Sequence, residues 1–215
     1  MKEKPILFTA EMVTAILDGR KTMTRRIAKP RFDDRTPCEH WTGRRGACGV
    51  GAESVFMARH CKHGSESQTC PYGQVGDRLW VREAFADLNK MGFADFPNNI
   101  AYRADCGPDS LEAAKSYGVK WRPSIYMPRW ASRITLEITS LRAERVRDIT
   151  RSDIRAEGVM IPAHLNNEDS YKRAYADAWK TLWDSIYTKR GYGWAVNPWV
   201  WVISFKLIRH GGPNE

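Results

Sequence analysis

No run of about twenty apolar residues occurs anywhere in this chain of 215 residues, so no segment is long enough to span a bilayer as a helix. The opening residues, Met1-Lys2-Glu3-Lys4-Pro5, lead into neither an apolar stretch nor a small-residue cleavage site, and they do not read as a secretory signal. A cytoplasmic protein with no membrane partner is the expectation. No internal repeat is present, which argues against a solenoid. Acidic residues are in deficit, with Asp and Glu at 25 against Lys and Arg at 34, for a net charge of +9. Such a field attracts phosphate-bearing partners without choosing among them, and a basic surface with no nucleic-acid role stays open on charge alone.

The cysteines lack the tight two-residue spacing of a zinc knuckle, and their number is odd: Cys38, Cys48, Cys61, Cys70 and Cys106. In a reducing compartment disulfides are not expected, which leaves metal binding or plain burial. What the chain has in excess is tryptophan, nine in all, most of it at Trp121 and Trp130, at Trp179 and Trp183, and at Trp194, Trp199 and Trp201. Core packing is the default for such side chains, although their flat faces also stack on bases.

Thr9 can cap a helix with an apolar stripe of Val13, Ile16 and Leu17, closed by Gly19. The basic, threonine-rich run that follows reads as a turn into an extended segment. From about residue 28 to 74 the chain is rich in Gly, Arg, Cys and His and shows no sustained periodicity, the mark of an insertion. Arg78 to Glu83 alternates as a half-buried strand, and residues from about 87 to 118 read as loop. Ile134, Leu136 and Ile138 predict a strand that continues through Leu141 to Val146. Thr150 with Asp153 starts a short helix that Gly158 stops, and a second helix over about 169–186 gathers Tyr175, Trp179, Leu182, Trp183 and Ile186 on one face. The last strand, Trp199 to Leu207, is apolar on both faces at its start and should lie inside the sheet. Arg209 to Glu215 reads as a tail. Helix, strands, helices and strand in that order predict a single α+β domain over 1–215, with a small β-barrel flanked by helices.

The run Gly19-Arg20-Lys21-Thr22-Met23-Thr24-Arg25-Arg26 packs hydroxyls and cations together. A lysine whose pKa is lowered by neighbouring cations can take the proton of a hydroxyl, and the arginines could hold a carbonyl oxygen or a phosphate. A solvated basic turn at a helix end is the bland reading of the same residues. In a regular strand Lys21 and Thr24 would also point to opposite faces. Two further constellations stand out. Cys38, Cys48, Cys61 and Cys70, with His40, His60 and His63 nearby, offer ligands for one structural zinc that would order a loop poor in core residues. Lys120 to Trp130 alternates aromatic and arginine side chains along a proline-stiffened path, and Arg129 and Trp130 are its candidate ligand-facing residues.

Gly19, Lys21 and Arg26 match the signature glycine-x-lysine-x-x-glutamate-x-arginine of the ASCH family, with Thr24 where glutamate is usual. The chain therefore resembles that family, whose fold belongs to the PUA-like class. The threonine variant is similar to small bacterial ASCH enzymes that hydrolyse N4-acetylcytidine to cytidine and acetate. Pro71-Tyr72-Gly73, Gly76 to Glu83, Met127 to Arg133 and Asn197 to Val202 resemble longer ASCH proteins of phages and prophages. The resemblance implies a nucleoside, RNA or modified-base ligand and a catalytic trio of Lys21, Thr24 and a downstream glutamate. Glu157, at the end of the short helix, is the candidate. It faces the negative end of the helix dipole, a poor place for a carboxylate but a useful one for moving protons. Glu83 is the competing carboxylate, able to orient Lys21 or to pair with an arginine, and Arg26 or backbone amides would hold an oxyanion. A non-catalytic module for RNA or a modified base is the alternative function, and a phage accessory protein that binds a host protein is a second.

Overall fold

The computed structural model describes residues 1–29, 55–57, 67–89, 99–160 and 168–211. The chain divides into two compact units, each assembled from separated segments: Met1–Gly19, Gly76–Glu137 and Lys206–Glu215 in the first, Arg20–Val75 and Ile138–Phe205 in the second.

In the first unit, β1 (Glu3–Leu7) runs parallel to β5 (Arg78–Arg82), in register from Glu3 with Arg78 to Leu7 with Arg82. Antiparallel to β5 lies the start of β8 (Ile134–Arg145), with Leu79 opposite Leu136. Ile6, Leu79, Val81, Ile134 and Leu136 are buried. The helix α1 (Ala10–Leu17) forms as the sequence predicts: the Thr9 side chain accepts from the Met12 amide, and Gly19 takes a left-handed conformation at φ 71°. Residues 87–118 depart from the loop predicted for them. The short strands β6 (Phe85–Asp87) and β7 (Ile100–Tyr102) pair antiparallel, and α2 (Pro108–Ser116) follows with Pro108 in its first turn. No residue of α2 is buried, so it carries no apolar stripe for a periodicity reading to find.

The second unit is built on β2 (Met23–Ile27) and β9 (Trp199–His210), antiparallel from Met23 with Ser204 to Ile27 with Val200. β9 thus takes in Arg209 and His210, the first residues of the segment read from sequence as a tail. The short strands β3 (Val55–Met57) and β4 (Ser67–Thr69) also pair. Two helices complete the unit, α3 (Arg151–Ala156) and α4 (Glu168–Tyr187). On α4, Tyr175, Trp179, Trp183 and Tyr187 recur every fourth residue and form one buried stripe with Met23, Val146, Ile154, Val200 and Val202. Neighbouring rings along it stand 5.8 Å (Trp179 and Trp183) and 4.2 Å (Trp183 and Tyr187) apart, and the Trp183 indole N–H donates to the Tyr192 carbonyl at 2.8 Å.

The strand order of the main sheet is β1-β5-β8-β9-β2, and β9 lies inside it as its two apolar faces predict. Among the described residues this sheet is open, which corrects the closed barrel expected from sequence. Both ends show why. β1 carries Pro5, which has no N–H to offer and suits an edge. At the start of β2 the end of α3 takes up the outer hydrogen bonds: Lys21 bridges Glu157, and the Thr22 amide donates to the Ala156 carbonyl at 2.8 Å.

Candidate functional site

That same bridge brings together two residues 136 positions apart in the chain. The Lys21 Nζ donates to Glu157 Oε2 at 2.6 Å and to the Glu157 backbone carbonyl at 2.9 Å. Both residues are buried, Lys21 to 2% exposure and Glu157 to 6%. Burial pushes the Lys21 pKa down, against the attraction of Glu157, and the Arg26 and Arg25 charges push the same way as burial. Glu157 caps α3 at its C-terminal end, just before Gly158 at φ 85°. The adverse helix-end dipole is answered there by two cations: Oε2 faces Lys21, and Oε1 lies 3.4 Å from an Arg25 Nη.

Arg25 is the hub of a wider network. Its Nε and Nη2 donate to Glu144 Oε1 at 3.1 and 2.5 Å, and Nη2 also donates to Asp153 Oδ2 at 2.7 Å. Arg142 closes the network from outside, donating to Glu144 Oε2 at 3.0 Å and to Asp153 Oδ2 at 2.7 Å. The cations Lys21, Arg25 and Arg142 therefore meet the carboxylates Glu144, Asp153 and Glu157, the condition under which buried charge is tolerated. The Arg25 guanidinium also stands over the Trp179 ring, 5.8 Å from its centroid.

The backbone explains the arrangement. Met23 and Arg25 share one face of β2: the Arg25 Nη1 donates to the Met23 sulfur, and both side chains meet the α4 stripe. Thr24 and Arg26 fall by alternation on the other face, opposite Ile203 and Trp201. Thr24 is buried to 3%. The structure thus joins Lys21 to Glu157 and sets Thr24 on the other face of the strand from Arg25. Tyr72 is a further polar group near Arg26; burial raises its phenol pKa and the Arg26 charge pulls it back.

The remaining candidates divide between the described units. Glu83, buried to 1%, belongs to the first. It takes a two-pronged contact from Arg133, Nε at 3.0 Å and Nη2 at 3.1 Å. The same guanidinium grips both Asp105 oxygens, at 2.7 and 2.8 Å, and stacks 3.9 Å from the Tyr102 ring centroid. Burial pushes the Tyr102 phenol up to about 12, and its hydroxyl donates to the Ala131 carbonyl at 2.9 Å. Of the two readings weighed for Glu83, its partner in the structure is an arginine. Arg129 donates to Glu3 at 3.0 Å and sits over Trp80, while Trp130 is 52% exposed. Of the proposed zinc ligands, Cys38, Cys48 and Cys61 lie outside the described residues, and Cys70 is buried. Among the described residues no group of His, Cys, Asp and Glu is arranged to hold a metal. None of the described helices is long and apolar enough to cross a membrane.

No family model matches the chain, and no curated protein matches it. Among solved structures it is similar to an ASCH domain from Lactobacillus crispatus JV V101, at 12% identity over 97% of this chain and 81% of that one, with a TM-score of 0.35. A likeness this loose assigns no residue a role.

Sequence reasoning passed over Arg142, Glu144 and Asp153 as members of the site, and took Arg25 only as one of the cations beside Lys21. Their spacing carried a signal. Lys21 and Arg25 have the same parity along an extended segment, Arg142 and Glu144 the same parity along β8, and Asp153 and Glu157 share a helix face four residues apart. Each pair alone is ordinary surface patterning, and only the fold shows that the three meet.

Proposed function

We propose that this protein acts on a nucleoside or a nucleic-acid base, and that the Lys21–Glu157 pair handles the proton in hydrolysis of an acyl group from N4-acylated cytidine or a related base. The observation that supports this reading is the pair itself. Two residues far apart in sequence, implied together by the ASCH resemblance, lie 2.6 Å apart with Lys21 desolvated. A lysine whose proton affinity is lowered by burial can serve as a base nearer to neutral pH than a solvated one.

In the reaction an oxygen nucleophile adds to the amide carbonyl as its proton passes to neutral Lys21. Arg26, where the substrate extends to its face of β2, or a backbone amide holds the oxyanion. The C–N bond then breaks, and the leaving cytosine amine takes the proton back from Lys21. Where Thr24 supplies the oxygen, a water must next hydrolyse the acyl-threonine and release the carboxylate. Strand alternation sets Thr24 with Arg26, so Thr24 meets Lys21 only where the Lys21 side chain reaches round the start of β2. The other nucleophile open to the pair is a water.

The test is turnover of N4-acetylcytidine by the purified protein and by Lys21→Ala, Glu157→Gln and Thr24→Ala. Loss of turnover in the first two is expected. Loss in Thr24→Ala as well makes the threonine the nucleophile, and survival there assigns the attack to water. A folded wild-type protein that leaves N4-acylated cytidines intact sinks the hydrolase reading.

A second reading, a binding module for single-stranded RNA, is favoured by one surface of the first unit. Ile125, Tyr126 and Trp130 are 55%, 58% and 52% exposed. Arg122 lies over both Phe85 and Tyr126, and Arg82 and Arg129 both stand over Trp80. Exposed rings interleaved with guanidinium groups suit stacked bases and their phosphates. Under this reading tryptophan fluorescence is quenched by short single-stranded RNA in a salt-dependent way, and Trp130→Ala weakens binding without unfolding the protein.

A further inference from the structure

We propose that Arg25 is the positioning residue of the Lys21–Glu157 pair. It holds Glu157 by the oxygen that Lys21 does not use, and so fixes how strongly that carboxylate can retain the proton on Lys21. The inference rests on the reading of this pair as the proton-handling part of the site.

Three observations carry it. First, the Glu157 carboxylate is divided, with Oε2 at 2.6 Å from Lys21 Nζ and Oε1 at 3.4 Å from Arg25 Nη1. Second, Arg25 cannot swing away to leave Glu157 to Lys21. Its side chain is wholly buried, its Nε and Nη2 are engaged by Glu144 and Asp153, and its plane lies over Trp179. Third, its anchors come from different elements, Glu144 from β8 and Asp153 from α3, and Arg142 clamps both. A planar, permanently charged fork suits a place that must meet several carboxylates at once, and a lysine there could not hold them all.

Among the described residues, the charged groups that act on Lys21 include Glu157 from the end of α3 and Arg25 and Arg26 from β2. Among the described residues, Glu157 is paired with Lys21 and Arg25. Removing Arg25 takes away a cation that disfavours the Lys21 proton and leaves the whole Glu157 carboxylate to Lys21. Both changes act in one direction, toward a Lys21 that keeps its proton to higher pH.

The experiment follows the side-chain NMR signal of Lys21 against pH in the full chain. The signal is assigned as the one missing from Lys21→Arg and is then followed in the wild type, Arg25→Gln, Arg25→Lys and Glu144→Gln. Arg25→Gln should move the Lys21 midpoint up by about one pH unit, a tenfold change in its ionisation constant. Arg25→Lys should move it less, because the charge stays and only the fork is lost. Glu144→Gln loosens the same network without touching Lys21, so it reports what structural slackening alone does and should leave the midpoint nearly in place. An unchanged midpoint in folded Arg25→Gln overturns the proposal, and so does a Glu144→Gln shift equal to that of Arg25→Gln. Should Arg25→Gln not fold, an unmoved midpoint in Arg25→Lys overturns it. The outcome is separable from the hydrolysis assay. A shifted midpoint in a protein without turnover keeps Arg25 in its role and sinks the hydrolase reading. Turnover with a fixed midpoint does the reverse.

Discussion

Replacing Glu157 by leucine strips a buried ammonium of its carboxylate. Lys21 Nζ then loses its carboxylate partner at 2.6 Å and keeps the backbone carbonyl of residue 157, now 2.9 Å away, in surroundings that leave the lysine 2% exposed. Breaking a buried ion pair from one side costs about 3–5 kcal/mol, because the surviving charge has nowhere to go. For a chain of this size that corresponds to a fall of roughly 10 °C in Tm. Lys21→Met breaks the pair from the other side, but Glu157 keeps Arg25 at 3.4 Å, so the expected cost is smaller, about 1–3 kcal/mol. The double variant Lys21→Met/Glu157→Leu removes both charges and replaces them with apolar groups of similar bulk. It should be more stable than Glu157→Leu alone, with a coupling of about 2–3 kcal/mol between the two positions. Urea unfolding of the wild type and the three variants closes the cycle. Strict additivity, with the double variant as unstable as the two single losses combined, would refute the argument that these side chains neutralise each other in the folded state.

Two more outcomes follow from the charges. Because the folded Lys21 pKa is lowered below the ordinary lysine value of 10.5, the unfolded chain binds more protons between the lowered value and 10.5, so this residue makes stability rise with pH across that window and contributes no slope below it. The urea midpoint of Lys21→Met should lack that part of the rise, and parallel pH curves for the two proteins would exclude it. In the first unit, Arg133→Met leaves the buried Glu83 carboxylate without its donors at 3.0 and 3.1 Å, for a loss of about 3–5 kcal/mol in a thermal melt. Asp105→Asn, at a carboxylate 51% exposed, should cost less than about 1 kcal/mol, and equal losses would count against burial as the cause.

What could be read from the sequence was what each segment decides for itself. Thr9 and Gly19 bound α1, Thr150 and Gly158 bound α3, and the aromatic stripe of α4 and the doubly apolar start of β9 are local patterns that packing then used. α2 was illegible because it buries nothing, and its start at Gly107-Pro108 has the composition of a loop. The open edge at β2 was illegible for another reason. Whether a sheet closes depends on what reaches its outer strand, and there the end of a helix more than a hundred residues later arrives first. The site shows the same division. Lys21 and Glu157 could be named through a family resemblance, whereas Arg25 looked like one more cation in a basic turn. Its role appears only when β8 and α3 bring Glu144 and Asp153 to it.

The covering of the β2 edge and the pairing of the charges are one structural event. The backbone bridge between Lys21 and Glu157, with the Thr22 amide on the Ala156 carbonyl, satisfies edge groups that would otherwise invite another strand. The same bridge sets the two residues side by side at a spacing from which the lysine reaches both the carboxylate and the carbonyl of its partner. Each half needs the other: an unpaired edge would leave backbone donors unmet, and an unbridged lysine would leave a buried charge without its carboxylate. Arg25, held on three carboxylates, keeps the end of α3 from drifting off the strand. The pair is therefore held in place by the backbone that it helps to seal. Under the proposed reading, in which the pair moves a proton, this fixes the distance between lysine and carboxylate before any ligand arrives, so no binding energy is needed to assemble it.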